Sequence, residues 1–148
     1  MPGILIIAHA PLASALKAVA MHAYPDCARR IEVLDVDAAD TVEAVEARAR
    51  AQLQRVLTPD AVVFTDVFGA TPCNAALRLA DSPRVRVLAG VNVPMLWRSL
   101  CYENDTLDAL VVRAMNGATQ GVMQAAAPRP PNQPLESACD DPVQDHHQ

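Results

Sequence analysis

Short apolar runs alternate along the first 126 residues with longer segments in which apolar residues recur every three or four positions. The runs are rich in β-branched residues, as is typical of strands buried on both faces, and lie at 3–8, 31–36, 61–65 and 85–89. The periodic segments predict helices at 12–21, 41–56, 71–79 and 94–101, and a last helix that opens at Thr106 or Asp108. This alternation predicts an α/β fold, with a doubly wound, mainly parallel sheet and helices on both faces.

The composition changes near residue 127, where the periodicity ends. Residues 127–148 include PRPPNQP and ESACDDPVQDHHQ, which are rich in proline and polar side chains and offer little to bury. A segment of this composition is expected to be disordered. The sequence therefore predicts one domain at 1–126 and a Pro-rich, disordered tail at 127–148.

Composition and charge exclude several classes of function. Hydrophobic residues make up 51% of the chain, enough for the core of one domain, whereas aromatic residues make up 3% and the formal net charge is −5. Without a Lys/Arg run or aromatic platforms, nucleic acid is not an expected partner. The opening MPGILIIAHAP is too short to span a membrane and lacks the positive start of a signal peptide, so a cytoplasmic location is predicted.

The four cysteines are Cys27, Cys73, Cys101 and Cys139. They form no CxxC pair, and no histidine lies at a metal-ligand spacing from them. A chain with this much core does not need a disulfide scaffold, so we expect reduced thiols and no metal site. Cys73 is best interpreted as a small buried thiol.

Candidate chemistry lies in the loops that follow the first and third predicted strands. In an open parallel sheet, sites form beyond the carboxyl ends of the strands. The first loop contains His9 and Ala10, and the third contains Asp66 followed by VFGATP. Because these strands are expected to be neighbours, His9 and Asp66 are expected to meet at one edge of the sheet.

His9 and Asp66 together suit covalent phosphoryl chemistry. An imidazole is nucleophilic near neutral pH, and a carboxylate on its second nitrogen fixes the tautomer and stabilises the charge that forms on attack. The N–H groups of Ala10, Gly69, Ala70 and Thr71, with the Thr71 hydroxyl, are candidate phosphate-binding groups. The alternatives are a structural histidine, an aspartate that caps a turn, and Thr71-Pro72 acting only as a helix cap.

Three segments carry a resemblance to a known family. ILIIAHAPLASALKAVA, VVFTDVFGATPCNAA and LAGVNVPML occur in this order, and together they resemble the mannose-type enzyme IIA domain of the bacterial phosphoenolpyruvate:sugar phosphotransferase system. The resemblance covers roughly residues 1–126. One departure lies in the turn after the third strand, where the family often has two glycines after an aromatic residue and this chain has Phe68-Gly69-Ala70.

The resemblance implies a phosphotransferase that carries phosphate on a histidine, with no metal or cofactor. His9 matches the histidine phosphorylated on Nε2, Asp66 the carboxylate on its Nδ1, and Thr71 the hydroxyl near the phosphate. The implied donor is the phosphocarrier protein HPr, the implied acceptor is a separate IIB domain, and membrane contact is indirect, through a permease. The implied assembly is a homodimer in which residues 121–126 form a swapped antiparallel edge strand.

Three alternatives stay open from the sequence. The chain could be a regulatory protein of an incomplete phosphotransferase system, which binds a target in one phosphorylation state and takes no part in sugar transport. It could be the related phosphorelay subunit of a dihydroxyacetone kinase. A flavodoxin or receiver domain is less favoured, because the first loop has neither a Ser/Thr-rich phosphate loop nor an acidic cluster. The sugar and the acceptor are not determined.

Overall fold

The computed structural model describes residues 1–128, and its centre is a four-stranded sheet. The strands are parallel and lie in the order β2-β1-β3-β4. Their bounds are β1 Gly3–His9, β2 Glu32–Val36, β3 Ala61–Thr65 and β4 Val85–Ala89. All four predicted strands are confirmed, and the interior position of β1 and β3 accounts for their nearly continuous apolar sequences.

Within residues 1–128, six helices surround the sheet. They are α1 Leu12–Ala23, α2 Pro25–Ala28, α3 Val42–Val56, α4 Thr71–Leu77, α5 Val93–Ser99 and α6 Leu107–Gln120. The short α2 was not predicted, and α4 and α5 end two residues earlier than expected. Side-chain caps fix the start of three helices: Thr41, Asn92 and Thr106 accept hydrogen bonds from backbone N–H groups in the first turns of α3, α5 and α6.

The two faces of the sheet bury separate clusters of aliphatic side chains. Ile4 and Ile6 of β1 belong to the cluster that packs against α1, α5 and α6. Leu5 and Ile7 belong to the cluster that packs against α3 and α4. Since successive strand residues point to opposite faces, β1 contributes to both clusters and joins them. The predicted doubly wound arrangement, with helices on both faces, is confirmed.

The expectation that all four cysteines are reduced thiols is wrong for two of them. Cys27 and Cys101 form a disulfide, with their Cα atoms 5.6 Å apart. The unpredicted helix α2 places Cys27 beside the segment that follows α5, and this proximity is not visible in their sequence separation of 74 residues. Cys73 is a free buried thiol, as expected. Cys139 lies outside the described residues.

The chain after α6 forms no strand within the described residues. Residues 122–128 have no regular secondary structure, and the side chains of Val122 and Met123 are exposed. The predicted edge strand at 121–126 requires a second copy of the chain and stays a prediction. Most of the predicted tail, 127–148, lies outside the described residues. No helix within residues 1–128 has both the length and the apolar character needed to cross a bilayer.

Candidate active site

His9 and Asp66 lie at the same edge of the sheet because β1 and β3 are paired in parallel. His9 is the last residue of β1, and Asp66 directly follows β3. The register places Ile7 opposite Thr65, and on the other side of β1 it places His9 opposite Val36 of β2. The loops after β1 and β3 therefore leave the sheet side by side, as the site rule for parallel sheets predicts.

The carboxylate of Asp66 makes three hydrogen bonds in this loop region. Its Oδ2 lies 2.7 Å from Nδ1 of His9 and accepts the backbone N–H of the same residue at 2.9 Å. Its Oδ1 accepts the N–H of Val67 at 2.9 Å. The Asp66 side chain is 13% exposed, whereas that of His9 is 50% exposed. A largely shielded carboxylate therefore holds one side of an accessible imidazole.

The environment of Asp66 favours its ionised form. Partial burial alone would raise the pKa of this carboxyl group. The hydrogen bonds from the backbone and imidazole of His9 and from the N–H of Val67 outweigh that effect and hold the pKa of Asp66 below its ordinary value of 3.8. Asp66 is thus a carboxylate at neutral pH and can only accept hydrogen bonds.

This charge state determines the tautomer of His9. Because the carboxylate can only accept, Nδ1 of His9 carries the hydrogen in their 2.7 Å contact. In the neutral ring, Nε2 then holds the lone pair. Within residues 1–128, Nε2 contacts no hydrogen-bonding partner. The geometry thus leaves the lone-pair nitrogen of a half-exposed ring accessible.

The loop between β3 and α4 offers unpaired backbone donors near this pair. Within the described chain, the N–H groups of Gly69, Ala70 and Thr71 donate to no protein acceptor. Gly69 has a φ of +89°, in the region that favours glycine, and its carbonyl accepts Nδ2 of Asn74 at 3.3 Å. The interpretation of Thr71 as a side-chain cap is wrong, because α4 begins at Thr71 and its N-cap is Ala70. The Thr71 hydroxyl is therefore not used as a cap.

Ala10 differs from the other predicted phosphate-binding residues. Its N–H donates to the carbonyl of Val36 at 2.9 Å, so this donor is already used. A phosphate contact at Ala10 would require that bond to be exchanged. The hydrogen bond instead fastens the turn after His9 to the end of β2.

The sequence analysis missed a second carboxylate near this turn. Asp35, near the end of β2, accepts hydrogen bonds from the backbone N–H and the hydroxyl of Ser14 in the first turn of α1. Asp35 lies opposite Ala8 in the ladder. An aspartate at the end of a strand was the available signal, but nothing in the local sequence links it to Ser14, 21 residues earlier.

Within residues 1–128, His, Cys, Asp and Glu side chains form no cluster of three or more that could hold a metal ion.

Comparisons with known proteins place the chain in a family. A sequence model of the EIIA-man family, described as "PTS system fructose IIA component", matches residues 3–115. The chain is 33% identical over 114 residues to the PTS (phosphotransferase system) mannose-specific EIIAB component of Escherichia coli strain K12, and equally similar to that of Shigella flexneri. These matches cover 74% of this chain and 34% of each relative, so the chain spans about a third of the length of the curated relatives it matches.

Solved structures share the fold. The mannose/sorbose-specific IIA subunit of the phosphotransferase system from Enterococcus faecalis superimposes with a TM-score of 0.79 at 22% identity, covering 86% of this chain and 97% of that one. The component EIIA from Streptococcus agalactiae gives a TM-score of 0.73 at 20% identity, covering 84% and 97%. The family match extends over most of the described residues, and the chain belongs to the mannose-type IIA family of phosphotransferase-system components.

Proposed function

We propose that the chain is a phosphoryl carrier that accepts a phosphoryl group on Nε2 of His9 and passes it to another protein. The observation that carries this proposal is the 2.7 Å contact between Nδ1 of His9 and Asp66. It commits Nδ1 to the carboxylate and leaves the lone pair on Nε2, in a side chain that is half exposed. A neutral, oriented and accessible imidazole is what in-line attack on a phosphohistidine requires.

Phosphoryl transfer between two imidazoles needs no additional general acid or base. The lone pair on Nε2 attacks phosphorus while the bond from phosphorus to the donor's imidazole breaks, and the donor nitrogen keeps that electron pair. The proton on Nδ1 of His9 stays in place throughout. As the P–N bond forms, the imidazole of His9 gains positive character, and the adjacent carboxylate of Asp66 stabilises it.

The oxygens of the transferred phosphoryl group need hydrogen-bond donors on this chain. The unpaired N–H groups of Gly69, Ala70 and Thr71 and the Thr71 hydroxyl are suited to this task, since phosphoryl transfer depends on positioning and charge stabilisation. Ala10 would join them only by releasing its hydrogen bond to Val36.

We assign the donor and acceptor roles to HPr and to a IIB-type protein, with the chain acting in the cytosol. Family membership supports the assignment, and the Escherichia coli relative carries A and B components in its name. The loop after Asp66 supports a docking role, because the side chain of Phe68 is 77% exposed and Val67 is also exposed. Exposed apolar side chains of this kind are enriched where proteins meet.

The assignment is tested by labelling. The full chain is incubated with enzyme I, HPr and ³²P-labelled phosphoenolpyruvate, and acid-labile, base-stable label is measured. We expect label on the wild type and on His22→Gln, which alters an exposed histidine at the end of α1. His9→Gln should carry none. Retention of label by His9→Gln would remove His9 from the proposal.

A further inference from the structure

The far edge of the sheet holds a cavity that the phosphoryl chemistry does not use. Its volume is about 310 Å³, and it lies between the first residues of β1 and β2, the end of α3 and the segment after α2. Gly3 and Ile4 of β1 line it, whereas His9 ends the same strand. At about 3.3 Å of rise per residue, the cavity and His9 are roughly 20 Å apart.

Positive charge is concentrated in this cavity. Arg29, Arg30 and Arg55 line it, and Glu32 is the only carboxylate among the lining residues. The lining side chains therefore carry two net positive charges, and the N-terminal ammonium of Met1, which also lines the cavity, adds a third, in a chain whose formal net charge is −5. Arg55 lies 3.5 Å from Glu32, whereas Arg29 reaches only the exposed Asp26, at 4.0 Å. The side chain of Arg30 forms no ion pair within the described chain.

The guanidinium groups of these three arginines also make no hydrogen bond within residues 1–128. Five other arginines of the described chain donate to carboxylates or carbonyls; they are Arg48, Arg50, Arg78, Arg86 and Arg113. Within residues 1–128, the guanidinium groups of Arg29, Arg30 and Arg55 donate no such hydrogen bond. A guanidinium group presents a planar fork of donors that matches phosphate oxygens. Three such groups line this concave site, one of them, Arg30, without an ion pair within residues 1–128.

We propose that this cavity binds a small phosphomonoester. A phosphomonoester carries about two negative charges at neutral pH, which the net positive lining can balance. Its organic part would lie against Ile4, Ile31 and Val56, which also line the cavity. The volume suits a phosphate with a short carbon chain and is small for a nucleotide. Because the site is at the edge opposite His9, binding does not compete with phosphoryl transfer.

The test is a titration of the full ¹⁵N-labelled chain with glycerol 3-phosphate, followed by amide NMR shifts. We expect saturable shifts at Gly3, Ile31 and Glu32, and none from glycerol alone. Arg30→Ala should weaken binding about tenfold or more, because a charge-assisted hydrogen bond is lost. Arg84→Ala, which removes an exposed arginine outside the cavity, should bind like the wild type.

Three results would overturn the proposal. The first is shifts confined to His9 and residues 69–71, which would place the anion at the other edge. The second is equal affinity in the wild type, Arg30→Ala and Arg55→Ala. The third is lower thermal stability of the arginine variants with unchanged affinity. That result would mean that these arginines only stabilise the partial negative charge at the C-terminal ends of α2 and α3. Phosphorylation of His9 in each variant confirms that it is folded and keeps this test separate from the proposed function.

Discussion

Ser14 and Asp35 connect the first turn of α1 to the end of β2. The backbone N–H of Ser14 donates to Oδ1 of Asp35 at 3.1 Å, and the Ser14 hydroxyl donates to Oδ2. The N-cap residue of α1 is Pro11, whose side chain makes no capping hydrogen bond. The carboxylate from a neighbouring strand therefore takes the place of a local cap for α1, which begins three residues after His9.

Loss of this cap is expected to destabilise the protein. Asp35→Ala, which removes both carboxylate acceptors, should lower the free energy of unfolding by about 1 kcal/mol, as is typical for a lost N-cap. The corresponding fall in Tm is roughly 2–5 °C for a domain of this size, measurable by calorimetry. Asp26→Ala, which removes an exposed carboxylate on α2, serves as the control and should melt like the wild type. Equal melting of all three proteins would show that Asp35 does not act as a cap.

Asp66→Asn should slow phosphorylation of His9 without removing it. The amide can still accept the Nδ1 hydrogen, but it no longer stabilises the positive charge on the imidazole. Hydrogen bonds to charged groups are worth about 1.5–3 kcal/mol, so we expect a fall of about 10- to 100-fold in the rate. Single-turnover transfer from phospho-HPr measures it, with Asp81→Asn as the control. An unchanged rate would exclude Asp66 from the mechanism.

The lowered pKa of Asp66 also predicts how this residue affects stability with pH. A carboxyl group whose folded pKa is below its unfolded value stabilises the fold above the unfolded value, near 3.8, and loses that effect as the pH falls through the folded value. The stability difference between the wild type and Asp66→Asn should therefore be constant near pH 7 and shrink below about pH 4. Urea titrations at pH 7 and pH 3 measure the difference, and a gap that widens in acid would contradict the assignment.

The Cys27–Cys101 bond closes a loop across much of the domain. With a separation of 74 residues, the chain-entropy estimate of its stabilisation is about 4 kcal/mol. Peptide mapping of protein purified without reductant should recover these two cysteines as one linked pair. Reductant should destabilise the wild type but not Cys27→Ser. Recovery of both cysteines as alkylated thiols from non-reduced protein would contradict the bond.

We also propose that the chain is a homodimer that exchanges residues 121–126. The outer edge of β4 has no neighbouring strand within residues 1–128. Val122 and Met123 are 77% and 75% exposed, and the nearby Trp97 is also exposed. Light scattering should give twice the chain mass of 15.8 kDa, and a Val122→Asp, Met123→Asp double variant should give one chain mass while still accepting label at His9. A monomeric wild type would contradict the exchange.

The sequence could predict the features that depend on neighbouring residues. The strands at 3–8 and 61–65 each contain five or six consecutive, mostly apolar residues, which is enough to predict a buried parallel strand. Because neighbouring parallel strands end at the same edge of the sheet, His9 and Asp66 could also be predicted to lie together. Thr71 shows the limit of local signals, because Thr-Pro is typical of a cap and yet the helix begins one residue earlier than that interpretation requires. Its hydroxyl consequently makes no hydrogen bond within residues 1–128.

Features that depend on distant parts of the chain could not be predicted. Ser14 and Asp35 are ordinary polar residues in the sequence, and only the packing of α1 on β2 makes them partners. Cys27 and Cys101 carry no spacing signal, because their proximity depends on a four-residue helix too short to show a period. The three cavity arginines are similarly separated, with Arg55 more than twenty residues from the other two.

The interior position of β1 has a consequence for how His9 meets other proteins. β1 is hydrogen-bonded to β2 on one side and to β3 on the other, and the backbone beyond it is held by Val36 and Asp66. The imidazole thus extends from the end of a strand that is hydrogen-bonded on both sides, rather than from a long loop. The phosphoryl donor and acceptor proteins would therefore each have to position their own reactive group relative to Nε2 of His9. Any conformational adjustment needed for transfer would then occur in those proteins.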